Sequence, residues 1–399
     1  MKKTRARSFS LYILVIGFII GISYFTFNIV VNGQEYALNP INTHLKGDEL
    51  SQAGDILDRN SIVLAKTIDG KRTYNDDPLV RKALLHTVGD DSLDISTSVQ
   101  NNFKSELIGY NIVTGLGAPD FLKYNKDITL TIDSSVCKAA YEKLSGKKGA
   151  VCVYNYKTGE VICLVSTPSY DPYFPPNQDD INTDEYEGVY INRALSSSYT
   201  PGSVFKVVTS VAALENIKDI NDKTYYCNSS KIVDGEKITC LDSHYNINLK
   251  DAMAKSCNIA FADMAMDIGK DKMTSTAENL GFNDTFKLEN IKISKSIYDV
   301  SKANDADLGW SGIGQYNDLL NPFHMMIIMG AIANDGVPVQ PYLIKYMTSN
   351  MGIRSHVGVK SNLDSMMPRN IAGEMSEIMR YTVKNWYGDS MFSPLSVCA

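Results

Sequence analysis

Two short spacings hold the residues that could do chemistry. In the stretch Ser197-Ser198-Tyr199-Thr200-Pro201-Gly202-Ser203-Val204-Phe205-Lys206, the Pro201-Gly202 pair predicts a tight turn that delivers Ser203 to the start of a helix. Lys206 follows three residues later, and residues three apart on a helix share a face, so the amine can reach the hydroxyl. A serine hydroxyl is a weak nucleophile until a neighbouring base takes its proton. Lysine can be that base once desolvation lowers its pKa, and a helix N-terminus favours negative charge developing near the serine. Further along, Ser256 and Asn258 bracket Cys257. A second hydroxyl can relay a proton toward a leaving amine, and a carboxamide can orient both the lysine and a substrate amide. Alone, S-x-x-K is common in helices as a surface lysine near a capping serine, so the surrounding chain must support the reading.

The elements that must position these residues follow from apolar periodicity. Val204, Phe205, Val207, Val208, Val211 and Leu214 recur at helical spacing and predict a buried helix beginning at the turn. A second helical stretch, Leu249 to about Ile268, carries Ser256 and Asn258, with Ile259, Phe261 and Met264 pointing inward. Ahead of them, Ile128, Leu130 and Ile132 alternate, Asp133 or Ser134 caps, and a helix runs to about Leu144. The alternating runs 149–154 and 160–165, joined by a turn at 155–159, predict a hairpin. Asn321 as cap and Pro322 at the first helical position open a Met-rich helix through Ala333, and Asp335-Gly336 end it. A strand is expected over 337–344 and another helix over 372–383. Residues 32–126 are polar and weakly patterned, apart from a strand–turn–strand around Ala53 to Ala65.

Composition bounds the rest. The 399 residues, 44% apolar and 21% charged, suit an ordinary globular protein of two or three domains. A net charge of −6 leaves no basic footprint for nucleic acid. At the N-terminus Lys2, Lys3, Arg5 and Arg7 precede an uncharged run from Phe9 to Val31. As a helix that run spans about 35 Å, enough to cross a hydrocarbon core. A retained single anchor is expected, rather than a signal peptide cleaved before Asn39-Pro40, with residues 1–8 cytoplasmic and the remainder outside. The seven cysteines of that outer part, an odd number, cannot all pair. Cys227 and Cys240 flank a short polar loop and suggest a disulfide. His244 brings a possible zinc site to three ligands only, and an exported compartment favours oxidation, so disulfide is preferred and no metal is expected. Cys152 and Cys163 fall in apolar strands as buried small hydrophobes. The five histidines, His44, His86, His244, His324 and His356, show no spacing for a metal or a triad. Asp251 and Lys255 read as solvated helix charges.

With these residues in place, the chain resembles the penicillin-binding proteins, specifically the monofunctional class B transpeptidases. Ser203-Val204-Phe205-Lys206 and Ser256-Cys257-Asn258 are similar to that family's first two motifs in order and spacing. Gly54-Asp55-Ile56-Leu57-Asp58-Arg59-Asn60 resembles its N-terminal R-G-x-I-x-D-R-N-G signature, departing at Ala53 and Ser61. Thr131-Ile132-Asp133, Tyr170-Asp171-Pro172, Asn192-Arg193-Ala194, Gly312-Ile313-Gly314-Gln315 and Ala331-Ile332-Ala333-Asn334-Asp335-Gly336 recur in such enzymes.

The resemblance implies an α+β architecture: a transmembrane anchor (9–31), a small β-rich pedestal domain (32–126), and a transpeptidase domain (127–399) with an antiparallel sheet and helices. It implies a peptidoglycan D,D-transpeptidase working through an acyl-serine. Ser203, Lys206, Ser256 and Asn258 would be its catalytic residues, stem peptides its substrate and β-lactams its inhibitors. No cofactor is needed, and a membrane glycosyltransferase or polymerase is the implied partner. The family's third motif, K-T-G, should follow the second. Here Lys157-Thr158-Gly159 precedes Ser203 in a predicted hairpin turn and is read as a coincidence. The sequence therefore reads as lacking its C-terminal strands. The alternatives are a catalytically impaired wall-synthesis scaffold, or a β-lactam-hydrolysing or β-lactam-sensing relative.

Overall fold

The computed structural model describes residues 2–37, 50–109, 125–144, 146–177 and 179–399. His44, Asn39-Pro40 and the stretches 38–49 and 110–124 of the expected pedestal lie outside the described residues. The first element is a helix, Lys2–Ala37, whose segment Leu11–Asn28 is long and apolar enough to cross a membrane and has none of its surface buried against the protein.

Among the described residues the main sheet has six strands. In spatial order these are Arg354–Val357, Ile344–Ser349, Lys126–Leu130, Ile56–Leu57, Val63–Ile68 and Lys71–Tyr74. All neighbours run antiparallel except Ile56–Leu57 with Lys126–Leu130, where Ile56 sits opposite Ile128. The division expected at 126/127 thus falls at a strand paired on both sides, to the N-terminal signature on one and to residues 344–349 on the other. Asp58 of that signature is buried, accepts from the Asn60 and Ile62 amides, and takes the Ser134 hydroxyl at 2.7 Å. The signature therefore anchors the start of the Ser134–Leu144 helix.

The expected hairpin forms from Gly149–Tyr154 and Val161–Thr167, with Gly149 opposite Thr167. One apolar core runs from the N-terminal strands through the Lys206–Asn216 and Asn258–Ile268 helices to the Arg369–Thr382 helix. The strand expected over 337–344 begins only at Ile344, because Val337–Leu343 crosses the Asn155–Glu160 turn, with single bridges at Glu160–Tyr342 and Val339–Asn362.

A buried ion pair fastens the N-terminal part to the loop after this hairpin. Arg81, on the Pro78–Val88 helix, donates Nε and Nη2 to the two Asp171 oxygens at 2.8 and 2.6 Å. Their side chains are only 11% and 8% exposed. Burial would raise the Asp171 carboxyl, but Arg81 outweighs it and holds the pKa below the ordinary value. Replacing one partner leaves the other charge buried and alone, which costs about 3–5 kcal/mol. Asp171→Ala is therefore expected to lower the stability of the chain by about 3 kcal/mol, read as a shift of the denaturant midpoint at unchanged slope. A shift too small to resolve would show that the pair contributes nothing.

Candidate active site

Ser203 lies in a single 3₁₀ turn, Gly202–Phe205, and the α-helix begins at Lys206 and runs to Asn216. The turn is pinned from outside. Gly202 donates its amide to the Gly314 carbonyl at 2.9 Å, and Tyr199 exchanges both backbone hydrogen bonds with Leu320. Asn321 caps the Pro322–Ala333 helix through its Oδ1 and uses its Nδ2 to hold the Ser197 carbonyl at 2.7 Å. Phe205 stacks on Tyr298 at 5.4 Å and meets Phe282 edge-on, so the turn is clamped to the core by an aromatic side chain. Val204, expected on the buried face, is instead 51% exposed, because the 3₁₀ turn rotates it out beside Ser203.

The second motif differs from the single helix expected over 249–268. Two helices form, Leu249–Ala254 and Asn258–Ile268, separated by a break in which Ser256 adopts a left-handed φ of 50°. A non-glycine residue in that conformation is held there at a cost by its surroundings. The break turns Ser256 and Asn258 toward Lys206, which a continuous helix could not do for both.

The four candidate residues meet at one nitrogen. Lys206 is 1% exposed, and its Nζ lies 3.2 Å from Ser203 Oγ, 2.8 Å from Ser256 Oγ, 2.8 Å from the Ser256 carbonyl and 2.7 Å from Asn258 Oδ1. Ser256 Oγ is 3.1 Å from Ser203 Oγ, closing a triangle of two hydroxyls and an amine. Asn258 donates its Nδ2 to the Thr239 carbonyl at 2.9 Å, which fixes the amide so that its oxygen faces the lysine. Ser203 itself is exposed.

Burial lowers the Lys206 pKa to about 8. The hydrogen-bond inventory explains what the neutral amine would do. It has two hydrogens, and two of its neighbours, the Ser256 carbonyl and Asn258 Oδ1, can only accept. Those two take the hydrogens and leave the lone pair facing the two hydroxyls, each of which can donate. The arrangement can therefore take a proton from Ser203 and pass protons through Ser256.

Lys157-Thr158-Gly159 sits in the hairpin turn, where a side chain on Gly159 would meet the Gln340 carbonyl at 2.5 Å and Val339 at 3.0 Å. Asp251 accepts from the Tyr381 hydroxyl at 2.7 Å, so it is tied to the Arg369–Thr382 helix as well as to solvent. His324 is buried between Phe282 and Phe286, bonded to Ser296 and the Leu280 carbonyl.

The cysteines need correcting. Cys227 and Cys240 form no disulfide, and all seven thiols are free. With His244 and Cys257 they form a four-residue cluster whose ligand atoms all lie within 4.8 Å of one another. The sequence reading counted three possible ligands because Cys257 reads there as the middle residue of the second motif. Gly314 was also missed in its role: its motif was visible, but not its close approach to Gly202.

An exposed serine hydroxyl above a buried amine, with a second hydroxyl touching both, is an arrangement that can support acyl transfer through the serine. Comparison with known proteins is specific. Residues 149–394 match the penicillin binding protein transpeptidase domain, and the chain belongs to that family. It is 28% identical over 240 residues to the peptidoglycan D,D-transpeptidase PbpA of Mycolicibacterium smegmatis, which covers 55% of this chain and 48% of that protein. The chain thus spans about half the length of that curated relative. Its fold is similar to the D,D-transpeptidase domain of a peptidoglycan glycosyltransferase from Eggerthella lenta, with TM-score 0.75 and 24% identity over 87% of this chain and 85% of that one. It is likewise similar to an imipenem acyl-enzyme complex of penicillin-binding protein A from M. tuberculosis, with TM-score 0.72 and 24% identity over 84% and 83% of the two chains.

Proposed function

We propose that the chain is a class B peptidoglycan D,D-transpeptidase in which Ser203 is the nucleophile, Lys206 its base, Ser256 the proton relay and Asn258 the residue that orients Lys206. The observation that carries the proposal is the buried Lys206 amine in contact with both hydroxyls. Neutral Lys206 takes the Ser203 proton as Oγ attacks the penultimate D-Ala carbonyl of a stem peptide. The C–N bond then breaks, the proton passes from Lys206 through Ser256 to the departing D-Ala nitrogen, and an ester remains on Ser203. An amine from a neighbouring strand attacks that ester, its proton returns by the same path to Ser203 Oγ, and a new amide closes the cross-link. The Leu11–Asn28 segment would anchor the chain, with Lys2, Lys3, Arg5 and Arg7 on the cytoplasmic side and the site outside. A membrane glycosyltransferase supplying glycan strands is the partner this reading implies.

A β-lactam is an amide that would acylate the same oxygen, and a solved relative is described as an imipenem acyl-enzyme complex. The test is intact-mass measurement of the chain after incubation with penicillin. One adduct per chain is expected, lost in Ser203→Ala at unchanged melting temperature. An adduct that survives Ser203→Ala would refute the assignment.

A further inference from the structure

We propose that the two hairpin tips at residues 68–71 and 349–354 rest on the lipid surface beside the N-terminal anchor. The inference builds on the reading of Leu11–Asn28 as a membrane span. The register of the main sheet places both tips at one end. Ser349 pairs with Lys126, the first residue of its strand, and the turn of residues 350–352 follows directly. Ile56 runs parallel to Ile128 and antiparallel to Ala65, so the Ile68–Lys71 pair closing the second hairpin lies at the same end as Lys126. The chain arriving from the anchor enters there too. The Gln52 carbonyl accepts Asn125 Nδ2 at 3.2 Å, and the Leu50 and Ala53 carbonyls accept Thr67 Oγ1 at 3.0 and 2.9 Å. With neighbouring strands about 4.8 Å apart, the two hairpins stand about 19 Å from each other, with that entry between them.

Both tips hold apolar side chains out in water. Ile68 is 46% exposed, Met351 67% and Ile353 60%. The longer tip is a closed turn: Ser349 donates its amide to the Ile353 carbonyl at 2.9 Å, Gly352 donates to the Ser349 carbonyl at 2.8 Å, and the Ile353 amide reaches Ser349 Oγ at 3.2 Å. Met351 and Ile353 cannot fold back onto the sheet without breaking those bonds. Beside the apolar groups stand Lys71 and Arg354, both exposed, and Lys126, half-buried; the exposed carboxylate on the two tips is Asp69. Apolar side chains flanked by Lys and Arg suit the membrane interface, where the apolar groups enter the acyl boundary and the cations meet anionic headgroups.

The tether brings this end of the sheet within reach of the bilayer. The N-terminal helix ends at Ala37 and Leu50 is already bonded to the sheet, so the chain between them spans at most about 45 Å. A tether of that reach gives an effective concentration on the order of millimolar, at which weak affinity for lipid suffices. Two separate tips of one or two apolar side chains offer no contiguous patch to a protein partner, whereas each can enter a fluid headgroup layer by itself. With both tips down, the strands stand on end on the bilayer and the sheet cannot tilt within its own plane. The height of Ser203 above the membrane is then set by the fold rather than by the tether.

The experiment uses the full chain reconstituted in vesicles of phosphatidylcholine and phosphatidylglycerol in equal parts, with and without bromine on the acyl chains. Met351→Trp, at an exposed turn position, adds one indole to those of Trp310 and Trp386, whose emission is subtracted with the parent chain. The added indole is expected to be quenched about twofold by the brominated acyl chains. Ile68→Trp reads the second tip in the same way and is expected to be quenched as well. Quenching at both positions should weaken when phosphatidylglycerol is omitted, and when Lys71→Glu and Arg354→Glu are combined. Equal emission with and without bromine at both positions would overturn the proposal, whether the tips then face water or another protein. Quenching at one tip alone would overturn the two-point contact. Resistance of the chain to carbonate extraction tests the anchor separately, and the penicillin adduct on Ser203 depends on neither tip, so failure here is distinguishable from failure of either reading.

Discussion

Lys206→Met is expected to slow acylation by penicillin about 10²–10⁴-fold at neutral pH, the range supplied by a positioned general base. Methionine keeps most of the buried volume of the stem, so the packing against Phe261, over whose ring the amine lies at 5.7 Å, is largely retained. What disappears is the lone pair facing Ser203 and the two donors to the Ser256 carbonyl and Asn258 Oδ1. The pH dependence separates this loss from a general structural one. Burial places the Lys206 pKa at about 8, and only the neutral form can accept the Ser203 proton. The rate should therefore rise with pH through that value, by about tenfold between pH 7 and 9, and level off above. The variant should lose this rise along with the rate. A Lys206→Met chain that keeps its melting temperature and acylates within tenfold of the parent would remove Lys206 from the mechanism.

How much of this was legible in advance depends on how local the determining chemistry was. The Asn321-Pro322 start and the Asp335-Gly336 end delimited a helix that runs Pro322–Ala333, because cap and breaker act within one turn of the chain. The hairpin at 149–167 and the helix to Leu144 were legible for the same reason. The three-residue spacing was enough to bring Ser203 and Lys206 together, but the 3₁₀ turn that holds Ser203 outside the α-helix was not legible. Nor was the break at Ser256. Neither glycine nor proline marks it: Ser256 takes the left-handed position of a helix cap usually filled by glycine, with the Cys257 amide on the Ala252 carbonyl and the Ser256 amide on the Met253 carbonyl. The six-stranded sheet was equally hidden, since pairing Ile56 with Ile128 and Met347 with Ile128 requires knowing which strand lies between the other two. Cys257 shows how one residue can be read for the wrong property. Within the motif it was a spacer, whereas in space its thiol faces Cys227, Cys240 and His244.

Gly314→Ala is expected to damage the site as strongly from outside it. Gly314 has φ +72°, in the region glycine tolerates and alanine does not, and an added Cβ would lie 2.4 Å from the Gly202 carbonyl oxygen, 2.9 Å from the Gly202 nitrogen and 2.8 Å from Phe205 Cβ. Two of the three obstacles are backbone atoms, so no rotamer change relieves them. The strain at φ alone costs about 1–3 kcal/mol, and the clash can be relieved only by moving the turn that carries Ser203. Gly202 also donates to the Gly314 carbonyl, so the same shift breaks the bond that pins this turn. Lys206 responds less, because its helix is fixed by the Thr209 hydroxyl on the Gly312 carbonyl at 2.7 Å and by the buried face of Val207, Val208 and Val211. Ser203 then moves while Lys206 stays, and in the proposed mechanism a misplacement of about 1 Å can cost about 10²-fold in rate. The expected result is thus a joint loss, a lower melting temperature together with an acylation rate down about 10²-fold in the fraction that remains folded. Gly373→Ala, inside the Arg369–Thr382 helix with open space where its Cβ would lie, is the control: it should leave the acylation rate unchanged and raise the melting temperature slightly. If Gly314→Ala acylates at the parent rate, the Gly202–Gly314 contact does not position Ser203, and the turn must be held by Phe205 and the Tyr199–Leu320 bridge alone.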